Sequence, residues 1–108
     1  MSLSTHVLDT SRGCPAAGIA VRLERRDPDG SWTMLGELQI GADGRAKGEF
    51  DQPAVYRLTF GTGPYFTSLG QPAFFPEVTV AFRITDPTEH YHVPLLISPF
   101  GYSTYRGS

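Results

Sequence analysis

Twelve glycines and nine prolines are scattered along the 108 residues, and that scatter constrains the fold more than any other feature. Inside a helix a glycine costs about 1 kcal/mol and a proline about 3 kcal/mol relative to alanine. Long helices are therefore excluded, and short strands are the natural content of the segments between these breaks. In "GIAVRLER", Ile19, Val21 and Leu23 fall on one face and Ala20, Arg22 and Glu24 on the other, the two-residue period of a half-buried strand. "RDPDG" then turns the chain.

Further along, "SWTMLGELQI" resumes extended character, and Asp43-Gly44 in "GADGRAKGEF" is a strong short-range turn signal. Arg45 stands at the start of the strand that follows. "AVYRLTF" (54–60) and "EVTVAFRI" (77–84) are rich in β-branched and aromatic residues and predict core strands. Between them, "GTGPYFTSLGQPAFFP" has room for one or two helical turns. With "LSTHVLD", "HYHVPLLI" and the strand-like "YSTYRGS" the count reaches about eight short strands, so the expected architecture is all-β: a two-sheet antiparallel β-sandwich in a single domain, 1–108.

Composition narrows the function. A formal charge of −2 provides no basic field for nucleic acid or an anionic membrane. No apolar run approaches the roughly 18 residues of a membrane helix, and "MSLSTHVLDT" lacks the basic start and apolar core of an export signal. Cys14 is the one cysteine, so no intrachain disulfide forms, and a reducing cytoplasm is the expected compartment.

The candidates for chemistry are few. His6, His90 and His92 all fall in predicted strands, and the two-residue period places His90 and His92 on one face, opposite Tyr91 and Val93. Such a pair is suited to metal binding or proton transfer, and equally to an ordinary hydrogen-bonded surface role. A zinc site calls for three or four well-spaced ligands, which this sequence does not display, so no metal is expected. No G-x-S-x-G elbow and no glycine-rich phosphate cradle occur, which argues against a serine triad and against nucleotide cofactors. Arg45 reads locally as an exposed strand-end cation. Near the end of the chain Arg106 lies between Tyr105 and Gly107.

"STHVLDTSRGCPAAGIAVRL", "ADGR", "FFPEV" and "HYHVPLLISPFGYSTYRGS" together resemble the 5-hydroxyisourate hydrolase family, the transthyretin-related proteins, over virtually the whole chain. The terminal "YRGS" is the most specific element, since it separates the hydrolases from the hormone carrier of the same fold. The resemblance implies a transthyretin-like β-sandwich with one short helix and a homotetramer, a dimer of dimers with active sites at the dimer–dimer interface. The implied reaction opens the six-membered ring of 5-hydroxyisourate without cofactor or metal.

Carried over position by position, the family's functional residues are His6 of "THVLD", Arg45 of "DGR", His92 of "HYH" and the tail Tyr105 to Ser108. In the resulting reading His6, Arg45, His92 and Ser108 are catalytic, while His6, Arg45 and Tyr105 contact substrate. Arg106 is an anchor for the tail and His90 a supporting or surface residue. The competing reading is a transthyretin-like carrier that binds a small ligand without catalysis. A polar, histidine-lined pocket favours the enzyme.

Overall fold

A computed structural model describes residues 2–108 and places their apolar side chains between two stacked sheets. In chain order the elements are β1 (Ser2–Asp9), β2 (Cys14–Pro15), β3 (Ala20–Arg26), β4 (Trp32–Gln39), β5 (Arg45–Glu49), β6 (Ala54–Phe60), α1 (Thr62–Ser68), β7 (Val78–Ile84), β8 (Tyr91–Ser98) and β9 (Gly101–Thr104). One sheet has the order β2-β1-β8-β9, with β5 also paired to β1, and the other the order β4-β3-β6-β7. The expected all-β sandwich with one short helix is present. The helix spans seven residues, within the two turns expected, and no helix among the described residues is long and apolar enough to cross a membrane.

One pairing departs from the antiparallel pattern. β1 and β8 run parallel, in register from Leu3 opposite Tyr91 to Asp9 opposite Ile97. A parallel neighbour cannot be reached by a tight hairpin, and here most of the chain, including the whole second sheet, lies between the two strands. His90 also differs from expectation. It sits one residue before β8 begins, with an exposed side chain.

Alternation decides which side of each strand is buried. Along β1, Leu3, Thr5, Val7 and Asp9 are buried while Ser2, Ser4, His6 and Leu8 are half-buried on the outer face. The inner residues join Val21, Leu23, Tyr56, Leu58, Phe60, Leu95 and Ile97 in one core. Burying each such side chain contributes about 1.5–3 kcal/mol, and a one-residue slip of β1 would exchange this apolar set for serines and a histidine. The core thereby fixes the outward direction of His6.

Two polar anchors complete the frame. The buried Asp9 carboxylate accepts hydrogen bonds from the Ser11 hydroxyl at 2.6 Å and from the Tyr65 hydroxyl at 2.9 Å, which ties α1 to the end of β1. Burial alone would raise the Asp9 pKa, but these bonds, with those from the Ser11 and Arg12 amides, hold it below its ordinary value. Near the same end of β1, the Gly41–Gly44 turn returns the chain into β5. The Gly44 amide donates to the Gly41 carbonyl at 2.9 Å, and Gly44 has φ +82°, a conformation glycine adopts without steric cost.

Candidate active site

The outer face of the β5-β1-β8 sheet collects the polar side chains. His6 on β1 lies directly opposite Arg45 on β5, and on its other side it pairs with Pro94 of β8. His92 lies opposite Ser4 in the same β1–β8 ladder. Because residues two apart in a strand share a face, Ser4 and His6, Pro94 and His92, and Arg45 and Lys47 all belong to this one surface. Three strands distant in sequence thus bring His6, Arg45 and His92 together, as diagonal and direct cross-strand neighbours.

Local hydrogen bonds orient each of them. The Arg45 amide donates to the Asp43 carboxylate at 3.0 Å, an Asx-type turn that closes the loop before β5. His6 Nε2 lies 3.1 Å from the Asp43 carbonyl oxygen. A carbonyl only accepts, so Nε2 carries the proton and donates, and a neutral His6 holds its free lone pair on Nδ1. The same turn presses on the ring from below, since a β-carbon on Gly44 would come within 3.0 Å of His6 Cδ2 and 2.8 Å of the Val7 carbonyl.

His92 is held from two sides. Its Nδ1 lies 2.8 Å from the Ser4 hydroxyl. On its ring side the tail folds back after β9, and Gly107 forms an isolated antiparallel bridge with His92. Burial pushes the His92 imidazole below its ordinary pKa. The positive charge of Arg45, and that of a protonated His6 or His90, acts in the same direction, whereas hydrogen bonding with the Ser4 backbone opposes it. The neutral form of His92, the state in which an imidazole accepts a proton from water, is thereby favoured.

The tail residues divide. Gly107 reaches His92, whereas Tyr105 and Ser108 lie exposed within the single chain. Arg106 extends away from this face, with its guanidinium 4.6 Å above the Tyr91 ring and 3.2 Å from the Glu89 carboxylate. Cation–π and ion-pair contacts of this type pin the tail to the start of β8. Two hollows lie nearby. One, of about 280 Å³, is bordered by Ser4, Asp43, Arg45 and Lys47. The other, of about 320 Å³, lies between β7 and the returning tail and is lined by His92 of β8 together with Tyr105 and Arg106. Arg45 borders the first, and His92 and Tyr105 border the second.

Sequence reasoning did not single out Ser4 or Asp43 as site residues. The period of β1 does place Ser4 beside His6, but only the β1–β8 register puts it against His92. Gly107 lies inside the "YRGS" motif, and its contact depends on the tail folding back.

Residues 3–107 match the HIUase/Transthyretin family. The chain is 48% identical over 110 residues to the 5-hydroxyisourate hydrolase of Salmonella dublin, an alignment covering 98% of this chain and 80% of that protein. Among solved structures, the Klebsiella pneumoniae 5-hydroxyisourate hydrolase superposes with a TM-score of 0.86 at 39% identity, covering all of both chains. An (S)-allantoin synthase superposes with a TM-score of 0.88 at 40% identity, covering 98% of this chain and 43% of the synthase. A match this long, on a fold this close, places the chain in the HIUase/Transthyretin family.

Proposed function

We propose that this chain, acting as one domain over residues 1–108, hydrolyses 5-hydroxyisourate to 2-oxo-4-hydroxy-4-carboxy-5-ureidoimidazoline, a step of urate degradation. The observation that carries the reading is the meeting of His6, Arg45 and His92 on one sheet face, in a chain similar throughout to proteins named for that reaction.

Opening the ring requires a more nucleophilic water, stabilisation of the oxyanion that develops on the attacked carbonyl, and a proton for the departing nitrogen. His92, desolvated and neutral, takes a proton from the attacking water. The hydroxide adds to the ring carbonyl, and the C–N bond then breaks as the leaving nitrogen receives a proton from the imidazolium. His6, anchored through Nε2 to the Asp43 carbonyl, orients water and substrate with Nδ1. Arg45 holds the electron-rich ring oxygens and stabilises the growing negative charge with its planar fork of donors. Tyr105 contacts the substrate, and Ser108 helps to position the attacking water. The reaction needs neither metal nor organic cofactor in this scheme.

The working assembly in this reading is a homotetramer, a dimer of dimers. The face that carries His6 and Arg45 is open in the single chain, with Arg45 and Tyr105 exposed, and a second copy would close it into a water-limited cavity. The free thiol of Cys14 suits a cytoplasmic location.

The test is direct. 5-Hydroxyisourate is generated with urate oxidase and its ultraviolet absorbance followed with and without the protein, alongside sedimentation of the same sample. Acceleration above spontaneous decay by a tetramer is expected. Decay at the spontaneous rate, with stoichiometric ligand binding, would instead mark a carrier.

A further inference from the structure

The Ser4 hydroxyl stands between two imidazoles, 2.8 Å from His92 Nδ1 and 2.9 Å from His90 Nε2, while the Ser2 hydroxyl lies 3.4 Å from His90 Nδ1. A serine hydroxyl has a single proton to donate. It cannot donate to both rings, so at least one imidazole must donate to it. When the hydroxyl proton bridges the two rings, the side chains have two arrangements. In one, His92 carries its proton on Nδ1 and donates to Ser4, and Ser4 donates to His90 Nε2. In the other every bond is reversed, the His92 lone pair is spent on Ser4, and an N–H is left on Nε2.

We propose that Ser4, itself oriented by His90, is a positioning residue that holds His92 in the Nδ1–H form and so leaves the His92 lone pair on Nε2. The inference rests on the hydrolytic reading in one respect: a base that accepts a proton from water needs its lone pair unengaged, which only the first arrangement provides. Geometry supplies the rest. His90 is exposed at the start of β8, so its Nδ1–H can be satisfied by Ser2 or by solvent, and the chain of donors ends at water without an unpaired group. His92 has backbone packed on its ring, since a β-carbon on Gly107 would lie 2.5 Å from Cδ2. The ring therefore cannot rotate freely to trade Nδ1 for Nε2, and the identity of the group at Nδ1 decides the tautomer.

Ser4 meets both His92 and His90 through its hydroxyl. Its effect passes through His92, much as the third member of a catalytic triad sets the tautomer of its histidine.

Selective 15N-histidine labelling and long-range 1H–15N correlation spectra of the full-length protein read the tautomer directly, and steady-state kinetics on 5-hydroxyisourate read its consequence. The wild-type His92 is expected as the Nδ1–H form. Ser4→Ala should move it toward the Nε2–H form and lower kcat about 10- to 100-fold, the scale of a misplaced catalytic group, with KM changed less than about twofold. Ser4→Thr, which keeps a hydroxyl, should restore both, and His90→Phe should shift the tautomer partway. A wild-type His92 in the Nε2–H form, or a Ser4→Ala protein with unaltered tautomer and kcat, would overturn the proposal. A protein without hydrolase activity whose His92 still changes tautomer in Ser4→Ala would sink the hydrolytic reading and leave the Ser4 assignment standing.

Discussion

Gly107 and His92 are in backbone and ring contact at once. The Gly107 amide donates to the His92 carbonyl at 2.9 Å, and a β-carbon on Gly107 would fall 2.5 Å from His92 Cδ2 and 3.2 Å from Pro94 Cγ. The absence of a side chain at position 107 is what lets the tail lie flat against the imidazole. Gly107→Ala must push the tail or the ring aside. Because a displacement of about 1 Å can cost on the order of 100-fold in rate, turnover should fall at least about tenfold. The tail lies at the surface, so Tm should change by only a degree or two. Thermal melts and initial rates on the same preparation check both halves.

Gly44 holds His6 from the other side of the site. Its φ of +82° disfavours any side chain, and an added β-carbon would meet the Val7 carbonyl at 2.8 Å and Pro15 Cβ at 2.9 Å, backbone and ring atoms with little freedom to yield. Gly44→Ala should cost about 1–3 kcal/mol and, unlike Gly107→Ala, lower both stability and activity. Urea titration with an activity assay at each step separates this outcome from a purely catalytic defect.

How far these contacts could be read from the sequence depends on their range. The alternation in "AVYRLTF" marks β6 at the bounds observed, and the Asp-Gly turn places Arg45 at the first residue of β5, because strand faces and tight turns are set by residues a few positions apart. Pairing between distant strands leaves no such local trace. The period of two shows that Ser4 and His6 share a face, but their partners lie 88 residues away in the Ser4–His92 contact and 37 away in the His6–Asp43 contact. The positions of His6, Arg45 and His92 were legible through resemblance to a family. The role of Ser4 and the contact between Gly107 and His92 became visible only once the β1–β8 register and the returning tail were known.

The depressed pKa of His92 has a thermodynamic consequence. The unfolded chain, with an ordinary imidazole near pH 6.5, binds a proton that folded His92 resists, so unfolding takes up protons below that pH and stability falls as the solution is acidified. The contribution is fully present above about pH 6.5 and is lost as pH drops from there toward the folded pKa. His6, His90 and Arg45, the ionisable neighbours of His92, remain in a His92→Gln variant. The difference between wild type and His92→Gln, measured by urea denaturation at pH 8 and pH 5.5, should therefore isolate the effect, with the wild type losing more stability on acidification.

Tyr65 links the helix to the sheet through the buried Asp9 carboxylate. Tyr65→Phe leaves that carboxylate one donor short, a loss of about 1–3 kcal/mol, which for a chain of this length lowers Tm by about 4–8 °C per kcal/mol. The Asp9 pKa should rise as well, since the Tyr65 hydrogen bond is among the interactions that lower it. The stability due to Asp9 is present above its unfolded pKa and lost as pH falls through the folded value. Tyr65→Phe should accordingly unfold at a higher pH than wild type in an acid titration followed by circular dichroism, with turnover per folded molecule unchanged.

The most direct measurement of the account compares initial rates of 5-hydroxyisourate decay for wild type, His6→Ala, Arg45→Ala and His92→Ala, each purified in the same assembly state. Removing one acid–base or oxyanion-stabilising group is expected to reduce turnover at least about 100-fold in every variant. A His92→Ala protein that assembles normally and turns over substrate at the wild-type rate would contradict it.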